Sequence, residues 1–175
     1  MTTEMVRLIE PIIPALRRYA RVLMRDRAAA DDLVQDCLER AIGRWHQRRA
    51  DGNTRAWIFT ILHNLAMRRL RQASERIHIG LEDADEASLS LAASQEDRLR
   101  YRDLLAALAQ LPEEQRTVLL LVTVEELSYA DAARVLDIPI GTVMSRLSRA
   151  RERLLKLTNA EAPTENSHPH LRRVK

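Results

Sequence analysis

The sequence predicts an all-α protein: two small helical domains joined by a flexible acidic linker. Three observations predict this. Ala, Leu and Arg dominate a chain of 175 residues that holds only four Gly and six Pro, the bias of helices rather than of sheets or collagen-like repeats. Apolar residues recur at helical spacing on both sides of residues 74–95, where they follow no period and where Glu82, Asp83, Asp85 and Glu86 cluster. A structureless run of about 20 residues argues against one compact body and for two on a tether. The boundaries expected are therefore 1–73, 74–95 and 96–157, followed by a polar, Pro-containing tail at 158–175 that is expected to be disordered.

The elements follow in order. Pro14 suits the first turn of a helix that continues through 15–24. Asp26 and Arg27 mark a bend, and a second helical period covers 28–49. Residues 47–53 (QRRADGN) form a loop around the turn signal Asp51-Gly52, and Asn53 or Thr54 caps a helix that reaches about residue 73. Beyond the linker, 97–109 is helical. Pro112 with Glu113 and Glu114 opens a helix to about residue 125. Ser128 and Asp131 make a variant capping box before a short helix over 129–136. Residues 137–141 (DIPIG) force a turn, and the last helix spans 142–157.

Charge narrows the function classes. Of 28 basic residues all but Lys156 and Lys175 are Arg, whose planar fork suits phosphate and guanine edges, although base composition alone can enrich Arg. Net charge is only +3, so any nucleic-acid surface is local. Cys37 is alone, which excludes an internal disulfide and fits a reducing compartment. The first residues carry Glu4 and Glu10 with no long apolar run, unlike a signal peptide, and no segment is apolar enough to span a membrane. A cytoplasmic location is expected. No Gly-rich phosphate loop, paired Cys or His-Glu-x-x-His is present, so no catalytic, metal or cofactor site is assigned; His168 and His170 lie in the tail.

Three constellations remain. In the last helix Val143, Leu147, Ala150 and Leu154 form a buried stripe, while Ser145, Ser148, Arg149 and Glu152 point the opposite way and Met144, Arg146, Arg151 and Arg153 flank them. With the capped short helix and forced turn before it, this reads as a helix-turn-helix whose second helix enters a major groove; an exposed basic helix on an ordinary bundle is the alternative. Along 55–73, Ile58, Leu62 and Leu65 line one stripe and Phe59, Ala66 and Leu70 a second. Trp57, Asn64, Arg68 and Arg71 share a third, which can stack a base, bond its edge and hold phosphates. Trp57 taken alone reads as half-buried core; Arg69, Arg76 and the loop residues Arg48 and Arg49 add basic charge nearby. Asp32, Gln35, Asp36 and Glu39 share a helix face opposite Leu33, Val34, Cys37, Leu38, Ala41 and Trp45. That stripe is either solvated or a docking face for a basic partner.

Over residues 10–157 the chain resembles the extracytoplasmic function (ECF) group of bacterial RNA polymerase sigma factors. The motifs are DDLVQD at 31–36 with Ala41 and Trp45, AWIFTILHN at 56–64 with Arg68, and LPEEQR at 111–116 followed by LSYADAA at 127–133 and GTVMSRLSRAR at 141–151. The resemblance implies a sigma-2-like bundle and a sigma-4-like helix-turn-helix domain. It implies that Asp32, Gln35, Asp36 and Glu39 dock the β′ clamp helices of core RNA polymerase, whose β subunit is a further partner. Promoter DNA is then read at the −10 element by Arg48, Arg49, Asn53, Trp57, Asn64, Arg68 and Arg71. The −35 element is read by Tyr129, Thr142, Met144, Ser145, Arg146, Ser148 and Arg149. An anti-sigma factor is the implied inhibitor, no cofactor is needed, and the chain itself is not an enzyme. Met144 and Ser148 depart from the commoner pattern, so the −35 sequence stays open. The alternatives are a sigma-like decoy that binds an anti-sigma protein without DNA, and a plain helix-turn-helix regulator.

Overall fold

The computed structural model describes residues 2–50, 52–76 and 95–160, all of it helix or connecting turn. The expected linker core, 77–94, and the tail from 161 onward lie outside the described residues.

In the first half, α1 (Thr2–Ile9) runs through a tight turn into α2 (Ile13–Met24), with Pro14 in its first turn as expected. Arg25 closes α2 in the left-handed region at φ 58°, an unusual position for a residue with a Cβ. Asp26 then caps α3 (Arg27–Gly43), its Oδ1 accepting from the Ala29 N–H at 2.6 Å. Asn53 caps α4 (Thr54–Arg76), its Oδ1 accepting from the Ala56 N–H at 3.2 Å. This helix runs to the edge of the described residues, past the expected end at about residue 73.

These three long helices enclose one core. Leu16, Tyr19, Leu23, Leu33, Cys37, Ile58, Phe59 and Leu62 are all at most 1% exposed. Each such aliphatic or aromatic side chain contributes about 1.5–3 kcal/mol of transfer free energy. Tyr19 meets Phe59 edge-on at 5.5 Å and shares a 3.0 Å hydrogen bond with His63 Nδ1.

In the second half, α5 (Gln95–Ala109) leads to α6 (Glu113–Leu119), which begins after Pro112 with two acids in its first turn. The expected continuation to about residue 125 changes character: Leu120–Val124 forms a wider π turn. Leu120 and Leu121 are buried by it, the Glu125 N–H reaches back to Leu120 O at 2.9 Å, and Glu126 adopts φ 54°. Ser128 caps α7 (Tyr129–Leu136), its Oγ accepting from the Asp131 N–H at 3.0 Å. Asp137 (φ 52°) and Pro139 turn the chain into α8 (Ile140–Ala160), which packs on α6 and α7 through Val143, Leu147 and Ala150. This is the expected helix-turn-helix.

The halves do not lie apart. α7 packs along α4, and α5 meets α2. At their centre Glu125 is 1% exposed and accepts from two guanidiniums of the first half. Arg18 of α2 donates from Nε to Oε1 (3.3 Å) and from Nη2 to Oε2 (3.0 Å). Arg55 of α4 donates from Nη2 to Oε2 (2.9 Å) and to the Glu125 carbonyl (3.1 Å).

Burial pushes the His63 pKa down to about 4, so the imidazole is neutral in the folded protein. On acidification the unfolded chain takes up this proton first, near the ordinary value of about 6.5. Stability present above that pH is therefore lost as pH falls toward 4. Moving from pH 7 to pH 5 should cost roughly 2 kcal/mol through this residue. His63→Gln, which can still bond the Tyr19 hydroxyl, should flatten the pH dependence of the urea midpoint. An unchanged slope would rule His63 out as its source.

Candidate nucleic-acid interface

The first basic surface is built on the 48–54 loop and α4. Arg48 stacks over Trp45 at 4.7 Å and donates from Nη1 to Thr54 Oγ1 (3.1 Å) and to the Arg49 carbonyl (3.2 Å). Trp45 meets Trp57 edge-on at 6.0 Å. Trp57 is half-buried, as a core reading of it expects, yet its exposed edge helps line a cavity of about 300 Å³ with Arg48, Asn53, Ala56 and Thr60. Asn64, Arg68 and Arg71 stand exposed on α4. The cavity has an apolar floor and a rim of donors, a form that takes a flat polar ligand. Asn53 is partly committed: while its Oδ1 caps α4, its Nδ2 donates to Asp131 Oδ2 of α7 at 2.9 Å.

Arg69 does not belong to this surface. It turns toward α3, pairing with Asp36 at 2.6 Å and donating to the Ala29 carbonyl at 3.2 Å. Its position on α4, one residue beyond Arg68, rotates it about 100° away from the exposed stripe.

The second basic surface is the outer face of α8. Ser145, Ser148 and Arg149 are exposed opposite the buried Val143, Leu147 and Ala150, and Met144 is half-exposed beside them. Thr142 is half-buried, its carbonyl accepting from Ser145 Oγ at 3.1 Å, and Tyr129 is 37% exposed at the start of α7. Arg146 is placed differently from its neighbours. Its side chain is only 24% exposed and pairs with Glu114 of α6 at 2.7 Å, so it braces the domain instead of facing outward. Sequence spacing put it on the flank of the buried stripe, and Glu114 decides which way it turns.

The acidic stripe lies on α3. Asp32, Gln35 and Glu39 are exposed, with Gln35 Nε2 donating to Glu39 Oε1 at 3.0 Å, while Asp36 is half-buried by its Arg69 partner. Cys37 faces the core on the opposite side and is 0% exposed; burial pushes its thiol up to about 12, which favours the neutral thiol over the reactive thiolate. Among the described residues no group of His, Cys, Asp and Glu could hold a metal, and no helix is long and apolar enough to cross a membrane. His168 and His170 lie outside the described residues.

Two helical domains, one presenting an aromatic and basic groove and the other a helix-turn-helix, define a DNA-binding transcription protein. Residues 9–63 match the family model for the sigma2 domain of PhyR, and residues 101–154 match sigma-70 region 4. The chain is 37% identical to the ECF RNA polymerase sigma factor EcfG of Rhodopseudomonas palustris, over 83% of this chain and 80% of that one. It is 38% identical to SigL of Mycobacterium tuberculosis, over 83% of each. Among solved structures it is similar to the sigma factor RpoE from Bartonella quintana in complex with the anti-sigma factor NepR (TM-score 0.76, 30% identity, 87% of this chain and 95% of that one). The chain therefore belongs to the ECF RNA polymerase sigma factors: it directs transcription initiation by RNA polymerase and is not itself an enzyme.

The partial burial of Asp36 separates it from its neighbours in a testable way. Asp32→Asn should leave the urea midpoint unchanged, because Asp32 is exposed. Asp36→Asn should lose about 0.5–1 kcal/mol with the Arg69 pair, a half-exposed interaction that added salt weakens. A double-mutant cycle with Arg69→Ala measures the coupling; a value of zero would show that the pair holds nothing.

Proposed function

We propose that this sigma factor reads two promoter elements with the two basic surfaces and meets core polymerase with the acidic stripe. The outer face of α8 enters the major groove of the −35 element. Ser145, Ser148 and Arg149 reach base edges, Met144 makes apolar contact, and Tyr129 and Thr142 sit at the phosphate margin. The loop residues Arg48, Arg49 and Asn53 with Trp57, Asn64, Arg68 and Arg71 capture the opened −10 strand. Asp32, Gln35, Asp36 and Glu39 dock the polymerase β′ clamp helices. The protein works in the cytoplasm, beside polymerase and chromosome.

The observation that carries this reading is the division of α8: a buried apolar stripe on one side and, on the other, small polar residues with Arg149 left open. Small side chains let a helix approach a groove, and a guanidinium can bond a guanine edge bidentately. Each surface alone contacts few phosphates. Tethering both to one polymerase makes the second contact effectively intramolecular and raises avidity without new contacts.

An anti-sigma partner is part of the proposal. RpoE of Bartonella quintana is seen with NepR, and CnrH, 25% identical over 93% of this chain with a TM-score of 0.71, with the cytosolic domain of CnrY. A decoy that binds such a partner without DNA is the second reading: residues 9–63 match the sigma2 domain of PhyR, and PhyR of Bartonella quintana is an anti-anti-sigma factor seen complexed with the anti-sigma factor NepR. The exposed Arg68, Arg71 and Arg149 speak for DNA.

Run-off transcription from a randomised promoter library, with purified core polymerase, decides between them: a sigma factor enriches promoters and a decoy enriches none. On an enriched promoter Arg149→Ala should weaken −35 duplex binding by about 1–3 kcal/mol and relax specificity at one base pair. Asn64→Ala should slow open-complex formation and leave −35 duplex affinity unchanged. Wild-type behaviour of either variant would remove its residue from the reader.

A further inference from the structure

Two large apolar side chains stand on the exposed part of α8. Ile140 is 46% exposed and Met144 is 50% exposed. They are placed at i and i+4, and the exposed Ser148 continues the same row. Single exposed apolar residues are ordinary on a protein surface. These two occupy the first turns of the second helix of a helix-turn-helix, the part that meets base edges in a major groove.

The polar groups around them offer few free donors. Ser145 Oγ donates to the Thr142 carbonyl at 3.1 Å, so its hydrogen is spent on the backbone. Arg146 turns away to Glu114 of α6 at 2.7 Å. Residues 140–145 (IGTVMS) hold no Arg, Lys, Asn or Gln, the side chains that bond purine edges at two points. A Cβ on Gly141 would meet nothing else in the fold within 4 Å, so packing does not demand a bare backbone there; the missing side chain lets α8 lie closer to a surface outside it. Apolar atoms discriminate in a groove only where it presents an apolar group, and the one that base pairs show there is the 5-methyl of thymine.

We propose that Ile140 and Met144 read thymine methyl groups, so that the −35 element of this protein carries thymines beside the base pair met by Arg149. Four residues advance α8 by about 6 Å, which is up to two steps of about 3.4 Å along the duplex. The two thymines therefore lie on neighbouring or next-but-one base pairs. The proposal rests on the reading of α8 as the −35 reader and names the base that its apolar part selects.

Replacing thymine by uracil removes one methyl and keeps every hydrogen-bonding group. Holoenzyme assembled from the full chain and core polymerase is bound to a promoter enriched from the randomised library, with each −35 thymine of either strand changed to uracil in turn. At two positions affinity should fall about fourfold, the ratio expected for one buried methyl. Met144→Ala should abolish the uracil effect at one of these positions and Ile140→Ala at the other. Met144→Leu, still apolar, should keep it. Both residues are half-exposed, so these truncations leave the core intact.

Uracil tolerated at every −35 thymine, or enriched promoters with no thymine there, overturns the proposal. A uracil effect that both alanine variants retain gives the methyl contacts to other residues and overturns the assignment of Ile140 and Met144. Arg149→Ala separates these failures from that of the underlying reading. If it weakens −35 binding while uracil is tolerated, α8 reads the element without its methyls. If Arg149→Ala and Met144→Ala are both silent, the −35 reading itself falls. Poorer holoenzyme assembly in the alanine variants, with promoter binding by the assembled complex unchanged, would make the pair a protein contact and overturn the methyl reading.

Discussion

One buried carboxylate organises the relation between the two halves. Glu125 lies 107 residues from Arg18 and 70 from Arg55, and its burial forces all three side chains into one arrangement. Desolvating a carboxylate costs several kcal/mol, and only partners with good geometry offset it. Arg18 supplies a two-point contact, and Arg55 adds a bond to the carboxylate and one to the carbonyl of the same residue. The backbone serves this end as well. The π turn at Leu120–Val124 admits an extra residue into the helical register, buries Leu120 and Leu121, and delivers Glu125 inward at its close. Glu126, at φ 54°, then reverses the chain so that Leu127 returns to the core and Ser128 can cap α7. Such π insertions are often found at functional sites.

The same contact explains why the modest net charge conceals strong local fields. Part of the Arg excess is structural. Arg18 and Arg55 hold Glu125, Arg69 holds Asp36, Arg134 holds Asp131 and Arg146 holds Glu114. Each of these guanidiniums joins two elements or braces a helix end. Arg68 and Arg71 on α4 and Arg149 on α8 are exposed instead. Base composition therefore need not be invoked for the paired residues, since each has an acid to satisfy.

Much of this was legible in the sequence, for local reasons. Helical period separated Val143, Leu147 and Ala150 from Ser145, Ser148 and Arg149, and the structure buries the first set and exposes the second. Caps at Asn53 and Ser128 are decided within three residues, and both form. What escaped the sequence is non-local or energetically small. Arg69 and Arg146 pair with Asp36 and Glu114, 33 and 32 positions away, partners that helical spacing does not reveal. His63 had no partner near it in sequence; Tyr19 supplies one across the helix bundle. The left-handed residues Arg25, Glu126 and Asp137 carry none of the Gly signal that normally marks such positions. Tertiary packing holds them there at a modest local cost. The closure of one domain on the other had no signature at all, because a tether of unpatterned residues fixes only how far apart two domains can be.

The exposed and covered surfaces together imply an order of events. With the two halves packed together the acidic stripe Asp32, Gln35 and Glu39 is open to solvent, and so are the outer face of α8 and the α4 residues Asn64, Arg68 and Arg71; Arg48 and Trp57 are half-buried. A partner that needs only α3 can therefore bind without moving the domains. A partner that holds the two domains farther apart than the seam allows must break the Glu125 contact, and its binding is weakened by that cost. Linkage makes the cost reciprocal: any two ligands that both need the halves apart strengthen one another by the same factor. Ser148 and Arg149 on the outer face of α8 stay exposed while the halves are packed together, so this face needs no separation of the halves to meet a partner.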